Sequence, residues 1–148
     1  MQAMGVKVEK VEKGTYIFQA KEINIDYLQS EDFKIRAGSL RGSVMIVGPL
    51  LARFGVGYLP KPGGDKIGRR RLDTHFAGMI ALGAKFNYDA GEHFYAVEGK
   101  NLKGTYIHMD EASVTGTANI VMAAVMAKGE TTIYLSLIHI SEPTRPYW

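Results

Sequence analysis

Short stretches rich in β-branched and aromatic residues come in two pairs along this chain. "VKVEKV" (residues 6–11) and "TYIFQA" (15–20) flank a turn that contains Gly14. "AKFNYD" (84–89) and "HFYAVE" (93–98) flank one that contains Gly91. Each pair reads as two strands joined by a short turn. Ahead of each pair stands an apolar residue followed by glycine, Met4-Gly5 and Leu82-Gly83, which marks the end of a helix. A second pattern also occurs twice. "SVMIVGPLLARFGVGYL" from Ser43 and "TANIVMAAVMAKGETTI" from Thr117 both read as an apolar helix closed by glycine and followed by a short strand. Two copies of a mixed αβ unit, offset by roughly 75 residues, predict an internally repeated fold.

A helix over residues 73–82 bridges the copies, with Asp73 or Thr74 as its N-cap and Gly83 as its stop. Pro49 lies within a helical pattern and predicts a kink or a late helix start. "MQAMG" at the start reads as the last turn of a helix. At the other end, "LSLIHISEPTR" (135–145) resembles the in-frame translation of a transposase adaptor used in library sequencing. The chain is therefore expected to divide into a folded part, residues 1–134, and a non-native tail, 135–148. His139 in that tail carries no functional weight.

At 148 residues, with 46% hydrophobic and 22% charged residues, the chain fits one soluble domain. It has no cysteine, so neither disulfides nor thiolate chemistry enter, and the composition suits a reducing cytoplasm. The longest apolar run, "IVMAAVMA" (120–127), is too short to span a bilayer, so no membrane insertion is expected. The net charge of +3 says little by itself, but its placement changes the picture. Lys61, Lys66, Arg69, Arg70 and Arg71 fall within eleven residues, interleaved with Gly63, Gly64 and Gly68. Glycines allow close backbone approach, and arginine forks hold phosphate and carboxylate bidentately. A small anionic ligand fits that pattern better than a nucleic-acid track. "GGDKIG" lacks the Gly-Lys-Ser/Thr of a P-loop, and "GVG" at 55–57 opens no helix as a dinucleotide fingerprint does. His75, His93 and His108 have no metal-ligand spacing. His75 is expected to be structural, and Met79, Met122 and Met126 to pack in the core.

Three ordered motifs carry a resemblance. They are R-x-S-x-x-x-x-G-P-L-x-A-R-F-G from Arg41 to Gly55, P-G-G-x-x-I-G-x-R from Pro62 to Arg70, and D-x-H at 73–75 with L-G-A-K following. Together they resemble the enolpyruvyl transferases, and among them the branch acting on UDP-N-acetylglucosamine, over residues 2 to about 134. The resemblance implies an α+β fold of repeated βαβαββ units, part of one of the two domains of an inside-out α/β barrel. It implies transfer of the enolpyruvyl group of phosphoenolpyruvate to the 3′-hydroxyl of UDP-N-acetylglucosamine with release of phosphate, without a cofactor or metal. Further partner residues come from the remainder of a full-length chain, so this chain alone is expected to be inactive.

The resemblance also assigns roles. Asp65 stands where the family keeps its proton donor, which is cysteine in most members and aspartate in some. A carboxyl with an ordinary pKa of about 3.9 must be raised by burial or a bound anion to serve as that acid. Arg41 aligns with an arginine that contacts the nucleotide-sugar, and Arg70 with one shared by both substrates. The family reads R-P-V-D-L where this chain has "RRLDT", so Arg71, Leu72 and Thr74 depart while Asp73 is kept. Glu111, Ala112, Ser113 and Val114 fall where the family grips the nucleotide by backbone and a serine hydroxyl at a helix start, a plausible anion seat. Two other readings are a nucleic-acid-binding module using residues 61–71 and a sibling transferase acting on shikimate phosphate. The first needs exposed aromatics beside the arginines. The second fits "PGGDKIG" less well.

Overall fold

The structure is a computed structural model that describes residues 1–63 and 71–135. Its centre is a three-stranded antiparallel sheet in the order β3 (Val56–Pro60), β5 (Phe94–Glu98), β4 (Lys85–Asp89). Leu59 and Val97 point to one face of that sheet. There they join residues from α2 (Val47–Phe54), α3 (Asp73–Ala81) and α4 (Val114–Ala124) in the main core. Tyr58 points to the other face, stacks on Phe94 and meets Leu28 and α1 (Glu31–Gly38) in a smaller core. Helix α2 serves both. Val47 and Leu51 enter the main core and Leu50 the smaller one, an i, i+3, i+4 spacing along one apolar stripe. Strands β6 (Tyr106–His108) and β7 (Thr132–Tyr134) pair in parallel with α4 between them. Among the described residues no helix is long and apolar enough to cross a membrane.

The internal repeat is present in the backbone. Gly5 and Gly83 both adopt left-handed φ, 93° and 97°, and each leads into a hairpin. In the first hairpin, β1 (Lys7–Glu12) pairs with β2 (Thr15–Gln19), setting Lys7 opposite Gln19 and Val8 opposite Phe18. In the second, Lys85 lies opposite Glu98 and Phe86 opposite Val97. The registers match as far as Lys10, where a bulge before Glu12 interrupts the first copy. The copies differ in company. β5 also pairs with β3, whereas β1 and β2 form a sheet of their own.

Three expectations need correction. Asp73 is the first helical residue and not the N-cap. That position falls to Leu72, whose aliphatic side chain cannot cap, and the Asp73 carboxylate is engaged by Arg71. Helix α4 ends at Ala124, well before Gly129, so its copy of the pattern does not close on glycine as α2 does at Gly55. Met126 consequently lies beyond the helix and is 62% exposed, while Met79 is buried as expected. Of the two outcomes expected at Pro49, the late start is the one seen. A 3-10 turn over Arg41–Ile46 precedes α2, and Pro49 sits in the first turn of the helix, where its missing N–H costs nothing.

One buried side chain joins the three helices of the main core. Asn119 of α4 is fully buried, and its Oδ1 accepts a hydrogen bond from the Gly48 N–H of α2 at 2.8 Å. Its Nδ2 donates to the Val44 carbonyl at 3.0 Å and to His75 Nδ1 of α3 at 3.1 Å. The two backbone partners fix the orientation of the amide, so His75 Nδ1 is an acceptor and the ring proton sits on Nε2. Gly48 is required for the approach, since a Cβ there would run into the Asn119 backbone and side-chain oxygens. Gly78 of α3 likewise leaves room for Ile120.

Two outcomes follow from this network. Asn119→Ala leaves a buried N–H, a carbonyl and an imidazole nitrogen without partners, and is expected to cost about 3–5 kcal/mol in urea unfolding. Asn87→Ala, at an exposed strand position, is expected to stay within about 0.5 kcal/mol. Burial, with the Arg41 charge as a lesser cause, lowers the His75 pKa to about 4. The unfolded chain therefore binds that proton first as pH falls. The His75 contribution is complete above about pH 6.5 and is lost progressively toward pH 4, a fall on the order of 2–3 kcal/mol. Melting temperature measured from pH 7 to 4 should decline more steeply for the wild-type chain than for His75→Gln, whose amide can accept the same bond without titrating. Equal slopes would contradict the assignment.

Candidate functional site

The first turn of α3 and the start of α4 lie side by side, and their polar groups bond across the gap. Thr74 is 2% exposed. Its hydroxyl faces Asp110 Oδ1 at 2.8 Å and Glu111 Oε1 at 3.2 Å, sharing one proton between two carboxylates. Arg71 Nε donates to Asp73 Oδ2 at 2.7 Å, and that bond raises the Arg71 pKa further above its ordinary value. Arg41, at the start of the 3-10 turn, donates from Nη2 to the Arg71 carbonyl at 3.2 Å. Six of the residues singled out in the sequence thus converge: Arg41, Arg71, Asp73, Thr74, Glu111 and, one turn away, Ser113.

Ser113 is the N-cap of α4, and its Oγ accepts from the Gly116 N–H at 3.1 Å. The hydroxyl expected to await an anion is therefore already an acceptor to its own helix. Its O–H proton is a separate donor, as in any serine. Leu72 is partly buried and packs against the main core. Ala112 is exposed, and Val114 is the first residue of α4 and 40% exposed. Sequence reading missed Asp110, which pins Thr74, and Asn119, which holds the neighbouring His75. No local pattern marks either, because their partners are 36 and 44 residues away.

Asp65 and Arg70 lie outside the described residues, as do the rest of positions 64–70. What the structure gives is the pair of points from which that segment departs. On one side the Gly63 N–H donates to the Gly38 carbonyl at the end of α1, an approach that a Cβ on Gly63 would block. Just before it, the Lys61 N–H donates to the His93 carbonyl at 2.8 Å. On the other side Arg41 holds the Arg71 carbonyl. Among the described residues the cluster sets two guanidinium groups, Arg41 and Arg71, against three carboxylates, Asp73, Asp110 and Glu111. Also among the described residues, no three histidine or carboxylate side chains are grouped to hold a metal ion.

The aromatic side chains near this cluster are mostly taken up by one another. Phe76 packs on Phe86 and Tyr95 with ring centroids 4.6 and 5.2 Å apart, and Tyr88 stacks on Tyr95 at 4.7 Å. Tyr88 also shares a hydrogen bond with His93 Nδ1 at 2.9 Å. Tyr58 is committed to Phe94.

Comparison with known proteins agrees with this architecture. The model of the EPSP synthase (3-phosphoshikimate 1-carboxyvinyltransferase) family matches residues 1–145. The UDP-N-acetylglucosamine 1-carboxyvinyltransferase of Bacteroides thetaiotaomicron is 57% identical over 134 residues, 90% of this chain and 31% of that protein. The protein of the same name from Treponema denticola is 45% identical over 132 residues, 89% of this chain and 29% of its own length. The chain therefore spans about a third of the length of these relatives. In fold it is similar to EPSP synthase from Acinetobacter baumannii, with a TM-score of 0.60 at 19% identity, covering 97% of this chain and 31% of that one. It is also similar to the enolpyruvyl transferase NikO from Streptomyces tendae, with a TM-score of 0.59 at 15% identity, covering 89% of this chain and 30% of that one. A family match along nearly the whole chain, on a repeated α+β framework, means that the chain belongs to the EPSP synthase family of enolpyruvyl transferases.

Proposed function

We propose that this chain forms the loop-bearing part of an enzyme that transfers the enolpyruvyl group of phosphoenolpyruvate to the 3′-hydroxyl of UDP-N-acetylglucosamine. This is a cytoplasmic reaction and the first committed step of peptidoglycan synthesis. The observation that carries the reading is the convergence of Arg41, Arg71, Asp73, Thr74 and Glu111, with Arg71 closing the glycine- and arginine-rich segment. The 57% identity to relatives of that name supports the nucleotide-sugar over shikimate phosphate as acceptor, since likeness to the EPSP synthase structures is 19% and shows fold alone.

In the proposed reaction the sugar hydroxyl gives up its proton to solvent as its oxygen bonds to C2 of phosphoenolpyruvate, while the methylene carbon C3 takes a proton. Loss of a proton from C3 and departure of phosphate from C2 then regenerate the double bond. Asp65 is the proposed donor of the first proton. Arg70 and its neighbours neutralise the phosphate and carboxylate, which arginine grips by two parallel bonds where lysine cannot. Arg41 and the backbone at 111–114 position the nucleotide-sugar, and the remainder of a full-length chain supplies the other wall of the cleft. Residues 1–134 are the part assigned to this work, and 135–148 are assigned none.

A chimera tests this reading. Residues 1–134 replace the matching segment of the Bacteroides thetaiotaomicron relative, and phosphate release is followed with both substrates present. The chimera is expected to turn over, and the 148-residue chain alone to be silent, because proximity effects vanish without the second wall. Turnover with shikimate 3-phosphate in place of the nucleotide-sugar would favour the sibling activity instead.

Within an active chimera, Asp65→Asn is expected to lower turnover by about a hundred- to ten-thousandfold, the usual worth of a general acid. The epoxide fosfomycin alkylates the family's cysteine, and a carboxylate is a far poorer nucleophile than a thiolate. The Asp65 form should therefore resist time-dependent inactivation and Asp65→Cys should acquire it while retaining turnover. Normal turnover by Asp65→Asn would make Asp65 a turn residue only.

A further inference from the structure

Thr74 stands where the family motif carries leucine, and its surroundings show what the hydroxyl does. The residue is 2% exposed, and its hydroxyl meets Asp110 Oδ1 at 2.8 Å and Glu111 Oε1 at 3.2 Å. A threonine hydroxyl has one proton to give, and both acceptors are carboxylates. The bond to the nearer Asp110 is therefore charge-assisted. The methyl branch has a neighbour of its own. A Cβ on Gly116 of α4 would come within 3.2 Å of Thr74 Cγ2, so the methyl already lies close to that helix. One side chain of α3 thus meets α4 by packing and the residues just ahead of α4 by hydrogen bonding.

Those residues form a short connection, 109–113, that runs from β6 to α4 and is fixed at both ends. Met109 is 2% exposed, and its N–H donates to the Tyr134 carbonyl of β7 at 3.2 Å. Ser113 caps α4, and its carbonyl accepts from the Thr117 N–H at 2.9 Å and from the Thr117 hydroxyl at 2.7 Å. Between these anchors, Asp110 and Glu111 are tied to α3 by the Thr74 hydroxyl. The next residue of α3, His75, is bonded to Asn119 in the core. We infer that Thr74 is a positioning residue: latched on Asp110, it holds the backbone of residues 111–114 in place for the nucleotide-sugar. The inference rests on the role proposed above for that backbone. Leucine at position 74 has no proton to give, so the latch needs a hydroxyl there together with the acid at 110. Its loss weakens binding of the acceptor in the ground state and the transition state alike, which raises KM and leaves kcat unchanged.

The test uses the active chimera carrying residues 1–134. Thr74→Val keeps both branches and removes the proton. It should raise KM for UDP-N-acetylglucosamine by about tenfold, as loss of a hydrogen bond to a charged group does, with kcat and KM for phosphoenolpyruvate within about twofold. Thr74→Ser should behave as the parent. Asp110→Ala should raise the same KM, and Asp110→Asn, whose amide oxygen still accepts, should largely restore it. Adding Asp110→Ala to Thr74→Val should change little further, because the bond is already gone. In the 148-residue chain the same pair should lower Tm by less than the sum of the single changes, a readout that needs no substrate. An unchanged acceptor KM in Thr74→Val would overturn the inference, as would a fall in kcat alongside both KM values, additive effects of the pair, or a serine variant that fails as valine does. A chimera active only with shikimate 3-phosphate would overturn the proposed function, and the latch would be judged by the same ratios for that acceptor. If nothing is turned over, the proposed function fails, and the melting temperatures alone decide the latch: additivity overturns it.

Discussion

The carboxamide of Asn119 is the interaction on which the rest of the structure depends. It saturates a backbone N–H of α2, the carbonyl of Val44 and the imidazole of α3, and each of these would be costly to leave unpaired in the core. An aliphatic residue of the same volume would fill the space without choosing a register. The amide admits one arrangement of the three helices, and Gly48 permits the close approach that this arrangement needs. The same amide sets the state of His75, which must stay neutral to accept. Burial and the positive charge of Arg41 act in the same direction, so fold and electrostatics agree.

From this core the constraint passes to the surface through two adjacent residues. His75 bonds inward to Asn119, while Thr74 bonds outward to Asp110 and Glu111. A single helical turn therefore ties the packing of three helices to the polar cluster at the start of α4. One step earlier, Arg71 and Asp73 close on each other, and Arg41 reaches the Arg71 carbonyl from the element that also presents Val44 to Asn119. Arg71 is thus held both by its own side chain on Asp73 and, at its carbonyl, by an element tied to the core.

Much of this was legible in the sequence where it depended on near neighbours. Both hairpins, the left-handed glycines that precede them and the late start forced by Pro49 all follow from local steric rules. The missed features depend on distant partners. Asp73 was expected to cap its own helix but is drawn back to Arg71. Met126 was placed in the core because its pattern continued, although α4 stops at Ala124. Nothing near Asn119 signals that it will meet Val44, Gly48 and His75. The site residues came from ordered motifs rather than from chemistry alone. The structure brings together Arg41, Arg71, Asp73, Thr74 and Glu111, makes Ser113 a helix cap and leaves Ala112 and Val114 exposed. Asp65 and Arg70 lie outside the described residues.

The measurement that addresses the central claim most directly is the ¹⁵N chemical shift of the two His75 ring nitrogens as a function of pH. With Asn119 donating to Nδ1, that nitrogen should show the shift of an unprotonated acceptor and Nε2 that of a protonated nitrogen. Neither should change until the pH approaches about 4. A proton on Nδ1 at neutral pH, or titration at the ordinary histidine value near 6.5, would contradict the account.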